Sequence, residues 1–406
     1  MIKKTLILAL SCFTVVASAA EKTPSMEEMW QIIQQQQKTI DALQNKLKQQ
    51  DKTVNAKAEQ LEAQVDAQQE AIAVVADAIE EQAEPIDRVK VGGYGELHYN
   101  NLDSGDEIDF HRFVLFFGYD FNEKTRFFSE FELEHALAGD DKPGEVELEQ
   151  AYIEHLFNES TKATAGISLV PVGILNETHE PDTFFGVERN NVEKNIIPST
   201  WWEAGIGFNK QFNERVGLDL FLSSGLNTPI AGSKAFLIRS GRQKVAEAQA
   251  SDLAYTARIR YNPMPGLQLA ATYQHQTDLT QGALDVAADL FEVNAQYQRG
   301  GFALKALYAN WDLDRNVDAI NAARAEQMGY YIEPSYRFGG AREYGLFARY
   351  SVYNNNAADS DALDIEQMDI GFNYWFTPTT VFKFDYQDQS EGGSDDGFNL
   401  GVGYSF

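Results

Sequence analysis

The sequence predicts an all-β transmembrane barrel of about 16 antiparallel strands, preceded by an N-terminal α-helical coiled coil. Three observations carry this. The 406 residues have a mean hydropathy of −0.37, and no apolar run of 18 or more residues follows the N-terminus. That excludes a bundle of membrane-spanning helices but not a barrel, whose strands alternate apolar and polar residues and stay hydrophilic on average. Beyond Pro85 the composition shifts to Gly, Tyr and Phe, and the hydrophobic period drops from 3.5 to 2. Finally, the connections between alternating segments are short and long by turns, as in membrane barrels.

Residues 1–19 read as an export signal. Lys3 and Lys4 precede an apolar stretch from Thr5 to Val16, and Ala17-Ser18-Ala19 is a small-residue cleavage site. Cys12, the single cysteine, lies inside this segment, so the mature chain has no disulfide, thiolate metal site or cysteine nucleophile. A lipidated Cys12 is the rival reading, but Ala9-Leu10-Ser11 matches the required motif poorly.

Residues 20–84 read as a periplasmic coiled coil. Met26, Ile33, Ile40, Leu47, Val54 and Leu61 recur every seven residues, which predicts a left-handed supercoil. After Leu61 the stripe steps by four to Val65 and continues through Ile72, Val75 and Ile79, a stutter. A lone helix this polar has nothing to bury its stripe against, so the pattern points to self-association.

Residues 85–406 read as the barrel. Sixteen candidate strands start near Val89, Asp109, Thr125, Glu147, Thr161, Trp201, Arg215, Asp252, Gly266, Ala288, Phe302, Gly329, Gly345, Asp364, Thr379 and Gly397. Even-numbered strands end in tight turns such as Asn122-Glu123, Arg299-Gly300 and Gly339-Gly340. Odd-numbered strands mostly end in longer loops, the longest being 171–200 and Asn227 to Ser251. In the third strand Phe127, Phe131 and Leu133 share one face, and Glu130, Glu132 and Glu134 share the other. In the eighth, Arg258 and Arg260 oppose Tyr255, Ile259 and Tyr261. Charges at every second position are costly against lipid and harmless against water, so they are expected to line a lumen. Phe398, Leu400, Val402, Tyr404 and Phe406 alternate to the last residue, as in a terminal insertion strand. Trp201, Trp202, Trp375 and Tyr404 are expected in the interfacial aromatic girdles.

Acidic residues number 61 against 33 basic ones, a formal charge of −28. Such a surface does not suit nucleic acid as a partner. The sequence carries no G-x-S-x-G elbow, H-E-x-x-H or phosphate-binding P-loop, and no two histidines stand at metal-ligand spacing. No catalytic residue, metal site or cofactor is therefore expected.

Gly166, Pro171 and Gly173, followed by Phe185 and the pair Glu188-Arg189, resemble the phosphate-selective porin O/P family. There a G-x-x-K-x-P-x-G strand end leads into a long third loop carrying Glu-Arg. The resemblance implies an outer-membrane homotrimer of 16-stranded barrels with an N-terminal coiled coil, each narrowed by its third loop. Leu169 stands where the family has lysine, and Asp87 to Phe406 hold 25 basic and 48 acidic residues, a net of −23.

On that basis the third loop, with Glu177, Glu180, Asp182, Glu188 and Arg189, is the expected constriction. Arg112, Arg126, Glu130, Glu132, Glu134, Arg258 and Arg260 are expected on the lumen wall. The expected function is passive diffusion of small hydrophilic solutes or ions, with anions such as phosphate as the finer reading. Expected contacts are with outer-membrane lipid and lipopolysaccharide. The alternative is a structural tether reaching the cell wall through the coiled coil.

Overall fold

A computed structural model describes residues 88–317, 321–390 and 395–406, together with helical residues between 26 and 65. The chain divides into two units, Met1–Pro85 and Ile86–Phe406. The signal segment lies outside the described residues. In the first unit the described residues are helical, and Met26, Ile33 and Leu47 of the heptad stripe are exposed. The remainder of 20–84 lies outside the described residues, and winding around further copies rests on the heptad pattern alone.

The second unit is a closed barrel of sixteen strands. The first half comprises β1 (Val89–Leu102), β2 (Gly105–Asn122), β3 (Thr125–Glu134), β4 (Val146–Asn158), β5 (Thr161–Leu169), β6 (Trp202–Gln211), β7 (Val216–Ser223) and β8 (Ala254–Met264). The second comprises β9 (Leu267–Gln276), β10 (Ala288–Arg299), β11 (Phe302–Leu313), β12 (Glu326–Phe338), β13 (Tyr344–Asn354), β14 (Ile365–Thr377), β15 (Thr380–Ser390) and β16 (Gly397–Ser405). Each strand pairs antiparallel with its sequence neighbours, and β16 closes on β1 from Tyr94↔Ser405 to Leu102↔Gly397. Phe406 seals the seam by exchanging backbone hydrogen bonds with Gly93. Closure leaves no unpaired sheet edge, which a strand in hydrocarbon requires.

Two-residue alternation decides which side chains face out. In β12, Tyr330, Ile332 and Tyr336 are exposed while Tyr331, Glu333 and Ser335 are buried. In β15, Phe384 and Tyr386 point outward, and Lys383, Asp385 and Gln387 are buried. The apolar face is thus the outer one and the charged face the inner one.

The tryptophan assignment is corrected. Trp201, Trp202 and Trp375 are buried inside the barrel, not set in a girdle. Trp375 shares the inner face of β14 with Asn373 and Asp369. Its indole N–H donates to the Asp182 carbonyl, and that of Trp201 to Glu203. Alternation phase places Trp375 inward, whereas Trp201 belongs to the third loop and Trp202, although in phase with the outward Ile206 and Phe208, lines the inner cavity with Arg242 and Lys244. Tyr404 is half-buried and stacks on Phe406.

Connections after even strands are short, such as Glu123-Lys124 and Gly300-Gly301. Those after odd strands are long except the first, where Asp103-Ser104 alone joins β1 to β2. The third and fourth long-end loops, 170–201 and 224–253, fold into the interior.

Candidate functional site: loops folded into the barrel

Loop 170–201 is shaped by its own polar residues. Gly173 has φ 74, a left-handed conformation, and an added Cβ would lie 2.7 Å from the Glu193 carboxylate. A short helix, α1 (Asn191–Asn195), is capped by Asn190, whose side chain accepts from the Glu193 N–H at 2.9 Å. The Glu193 carboxylate is fully buried. Its Oε2 accepts from the N–H groups of Ile174 (2.9 Å) and Leu175 (2.6 Å), and Oε1 from the Tyr331 hydroxyl (2.7 Å). Burial pushes its pKa up against those hydrogen bonds. This glutamate ties the loop to β12 instead of facing solvent.

One side of the interior is apolar. Val172, Ile174, Val192, Ile196, Ile197 and Trp201 of the third loop join Leu226, Phe236 and Ile238 of the fourth. Both pack on Leu290, Leu307, Trp311 and Tyr331 of β10–β12. Each such side chain stabilises the docked loops by roughly 1.5–3 kcal/mol. Trp311 also donates to the Ile196 carbonyl.

The opposite side is charged. Among the expected residues, Arg112 lies buried between Glu96 (Nε–Oε1 2.8 Å) and Glu132 (3.5 Å). Glu130 accepts from Gln150 and Tyr94 and lies 3.6 Å from His179. Arg258 and Arg260 both clamp Asp219, and Glu177 of the third loop pairs with Arg258. Arg126 pairs with Glu154, which also takes Lys162. Glu188 accepts from His98 and Asn100, and Asp182 accepts from Ser405. Glu134 lines a cavity with Arg189. Glu180 is half-buried, and its carbonyl accepts from Thr183.

The loop docks on this side through His179, which faces Glu149 at 3.5 Å as well as Glu130. Burial pulls its pKa down, but the two carboxylates overcome this and raise it to about 10. Glu149 reaches the interior through a β-bulge, because Glu130 pairs with Gln150 but Phe131 with Leu148.

Three guanidiniums of the inward-folded loops differ from the wall arginines above. Arg239 donates to the carbonyls of Lys194 and Ser199, and Arg242 to that of Thr200. Arg189 has its Nε and Nη2 buried without hydrogen-bond partners. Among the described residues, none of the three pairs with a carboxylate. Burial lowers the pKa of each; Arg112 lowers that of Arg189 further, Arg242 and then Arg189 lower that of Arg239, and for Arg242 the upward pull of Glu147 comes before the downward push of Arg189. They share a cavity of about 210 Å³ with Lys194, Glu147 and Glu188. It continues through Glu188, Arg189, His111 and His135 into a second of about 320 Å³ at the long-loop end.

Sequence reasoning missed Arg349 and Lys383. Arg349 is buried between Asp369 (2.9 Å) and Glu333 (3.2 Å), and Lys383 donates to the Gly186 carbonyl at 2.9 Å. Both carried the signal that found Arg258, a charge between outward-facing residues of one strand. Glu193 and the inward fold of the fourth loop carried no local signal, since both depend on contacts across the barrel.

Residues 223–394 match the family model described as Gram-negative porin. An uncharacterized protein of Aquifex aeolicus (strain VF5) is 30% identical over 327 residues, covering 73% of this chain and 75% of that protein. The fold is similar to OmpF of Salmonella typhi in complex with daunomycin (TM-score 0.58, 13% identity, 78% of this chain and 97% of that one). It is also similar to an anion-selective porin from Comamonas acidovorans (TM-score 0.55, 15% identity, 78% and 99%). At these identities the two structures speak for the fold alone.

Proposed function

We propose that the chain is a porin-family outer-membrane channel for small hydrophilic solutes in which the third and fourth loops form the constriction. Anions are the preferred ions. The observation that carries this is the Arg189, Arg239 and Arg242 group, half-buried beside a cavity with no carboxylate paired to any member among the described residues. In a narrow, low-dielectric passage such charge raises the local concentration of anions. The wall arginines contribute less, because Glu96, Glu132, Asp219 and Glu177 already neutralise them. A phosphate-like solute fits the guanidinium geometry, which offers forked N–H donors to tetrahedral oxyanions.

The heptad stripe supports a homotrimer held by a periplasmic coiled coil, with lipid and lipopolysaccharide around the barrel. Residues 1–19 would be removed on export. The tether alternative is not favoured, since an anchor has no need of an interior with this many charges. The test is conductance of the purified protein in a planar bilayer, with and without Arg189→Ala. Conductance with an anion preference that weakens in the variant supports the reading, and absence of conductance refutes it.

A further inference from the structure

Three of the six histidines meet at the long-loop end of the barrel: His98 of β1, His111 of β2 and His135 just beyond β3. They are too far apart in sequence to form a metal-ligand motif, and the fold assembles them. A bulge in β2 is decisive. Glu96 pairs with Arg112 but His98 with Asp109, so Phe110 and His111 together oppose Leu97. A strict two-residue period would send the neighbours His111 and Arg112 to opposite faces, yet both line the inner cavity.

Asp109 Oδ2 lies 2.7 Å from His135 Nδ1 and 3.3 Å from His111 Nδ1. A donor atom from each of the three lies within 4.8 Å of the other two. The His111 ring meets His135 edge-on at 5.6 Å and stacks on His98 at 4.8 Å. Glu96 and Glu188 hold the two His98 nitrogens. The side chains of Asp109, His111 and His135 are 16%, 27% and 31% exposed, open to the cavity of about 320 Å³.

We propose that Asp109, His111 and His135 bind one divalent transition-metal ion of the Zn²⁺ or Cu²⁺ class. Two imidazole nitrogens and one carboxylate oxygen form the donor set those ions favour, whereas Ca²⁺ and Mg²⁺ select mostly oxygen. Metal–ligand bonds of about 2.0–2.2 Å place donors roughly 3–4 Å apart, which a small opening of the Asp109 hydrogen bonds provides. The ion takes the place of the ring protons now shared with Asp109; a neutral ring keeps its one proton on the far nitrogen, and only a ring that was an imidazolium releases one to solvent. Its remaining positions face the cavity and take water. Arg112 and Arg189 are nearby cations; Glu96 and Glu132 offset the first, and Glu188 adds negative charge beside the site. Nothing here depends on whether the barrel conducts.

The test uses the full-length protein in detergent, stripped with chelator and titrated with Zn²⁺ by calorimetry. One saturable ion per chain is expected, insensitive to excess Ca²⁺. His111→Gln, His135→Gln and Asp109→Asn are each expected to weaken it by roughly 10- to 100-fold. His275→Gln is expected to leave it unchanged, because that ring pairs with Asp289 elsewhere on the wall. Cu²⁺ bound to the wild type should show coupling to two imidazole nitrogens by paramagnetic resonance, and to one in His135→Gln. His135 lies outside the strands, so that variant keeps the barrel register, and heat-dependent gel mobility verifies folding throughout. Absence of saturable Zn²⁺ binding would overturn the proposal, as would binding unchanged in a folded His111→Gln/His135→Gln double variant.

Discussion

The two sides of the barrel interior hold the same loops by different physics. Against β10–β12 the third and fourth loops are packed like a protein core, with Ile196, Ile197, Phe236 and Trp311 excluded from water. Against β1–β4 they are held by His179 and Glu188 through ion pairs, and against β13–β16 by Lys383 and Arg349, with only a small apolar cluster of Phe185 on Phe347, Trp375 and Val381 beside them. Apolar contact is non-directional and insensitive to salt, and it fixes where the loops sit. Charged contact depends on pH and pairing, and it sets the field in the remaining space. On the proposed reading, constriction position and ion preference are controlled by separate residues, so they can be perturbed separately.

The largest expected effect is on the apolar side. Ile197→Ala should cost about 2–5 kcal/mol of loop docking and leave a cavity beside Val172 and Trp201. Larger single-channel conductance with unchanged ion preference is the expected outcome in bilayers. Glu193→Ala should act in the same direction, because it leaves the Ile174 and Leu175 N–H groups unpaired at about 1–3 kcal/mol each. Normal conductance in both variants would remove the distinction between the two sides.

An intermediate effect is expected from pH. The folded-state pKa of His179 is raised from the ordinary 6.5 to about 10 by Glu130 and Glu149, against burial. Its contribution to docking is therefore complete below about 6.5 and is lost as pH rises through about 10. Current noise should grow over that alkaline range in the wild type. His179→Gln should show the noise at all pH values. A wild type as quiet at pH 10.5 as at pH 6 would show that the ion pairs do not hold the loop.

The smallest effect is expected at the wall. Arg258→Met removes a charge that Asp219 and Glu177 already neutralise, and Arg260 continues to hold Asp219. Ion preference should barely move in a reversal-potential measurement. A change as large as that of Arg189→Ala would mean that paired wall charges also shape the field.

The barrel was legible in the sequence because a strand's face depends on residues two apart. Tyr255, Ile259 and Tyr261 against Arg258 and Arg260 suffice to orient β8, and all sixteen strands exist within a few residues of their expected starts. The same local rule failed where the fold adds a residue, as at His111 and Glu149, whose bulges change the alternation. It also failed for Trp375, placed by residue type instead of phase. The charged loop residues were legible as a group, but their pairing was not. Whether Arg189 is neutralised or open depends on Arg239 and Arg242, which arrive from a different loop. Nothing within a dozen residues of Glu193 signals that Tyr331 will close on it.

On the proposed reading, the guanidiniums of Arg189, Arg239 and Arg242, which pair with no carboxylate among the described residues, outweigh the net negative charge of the chain at the constriction. The most direct measurement is the reversal potential across a salt gradient for the wild type and an Arg189→Ala/Arg239→Ala/Arg242→Ala variant in planar bilayers. The predicted result is anion preference in the wild type, falling to none or reversing in the variant. Cation preference in the wild type, or an unchanged anion preference in the variant, would contradict it.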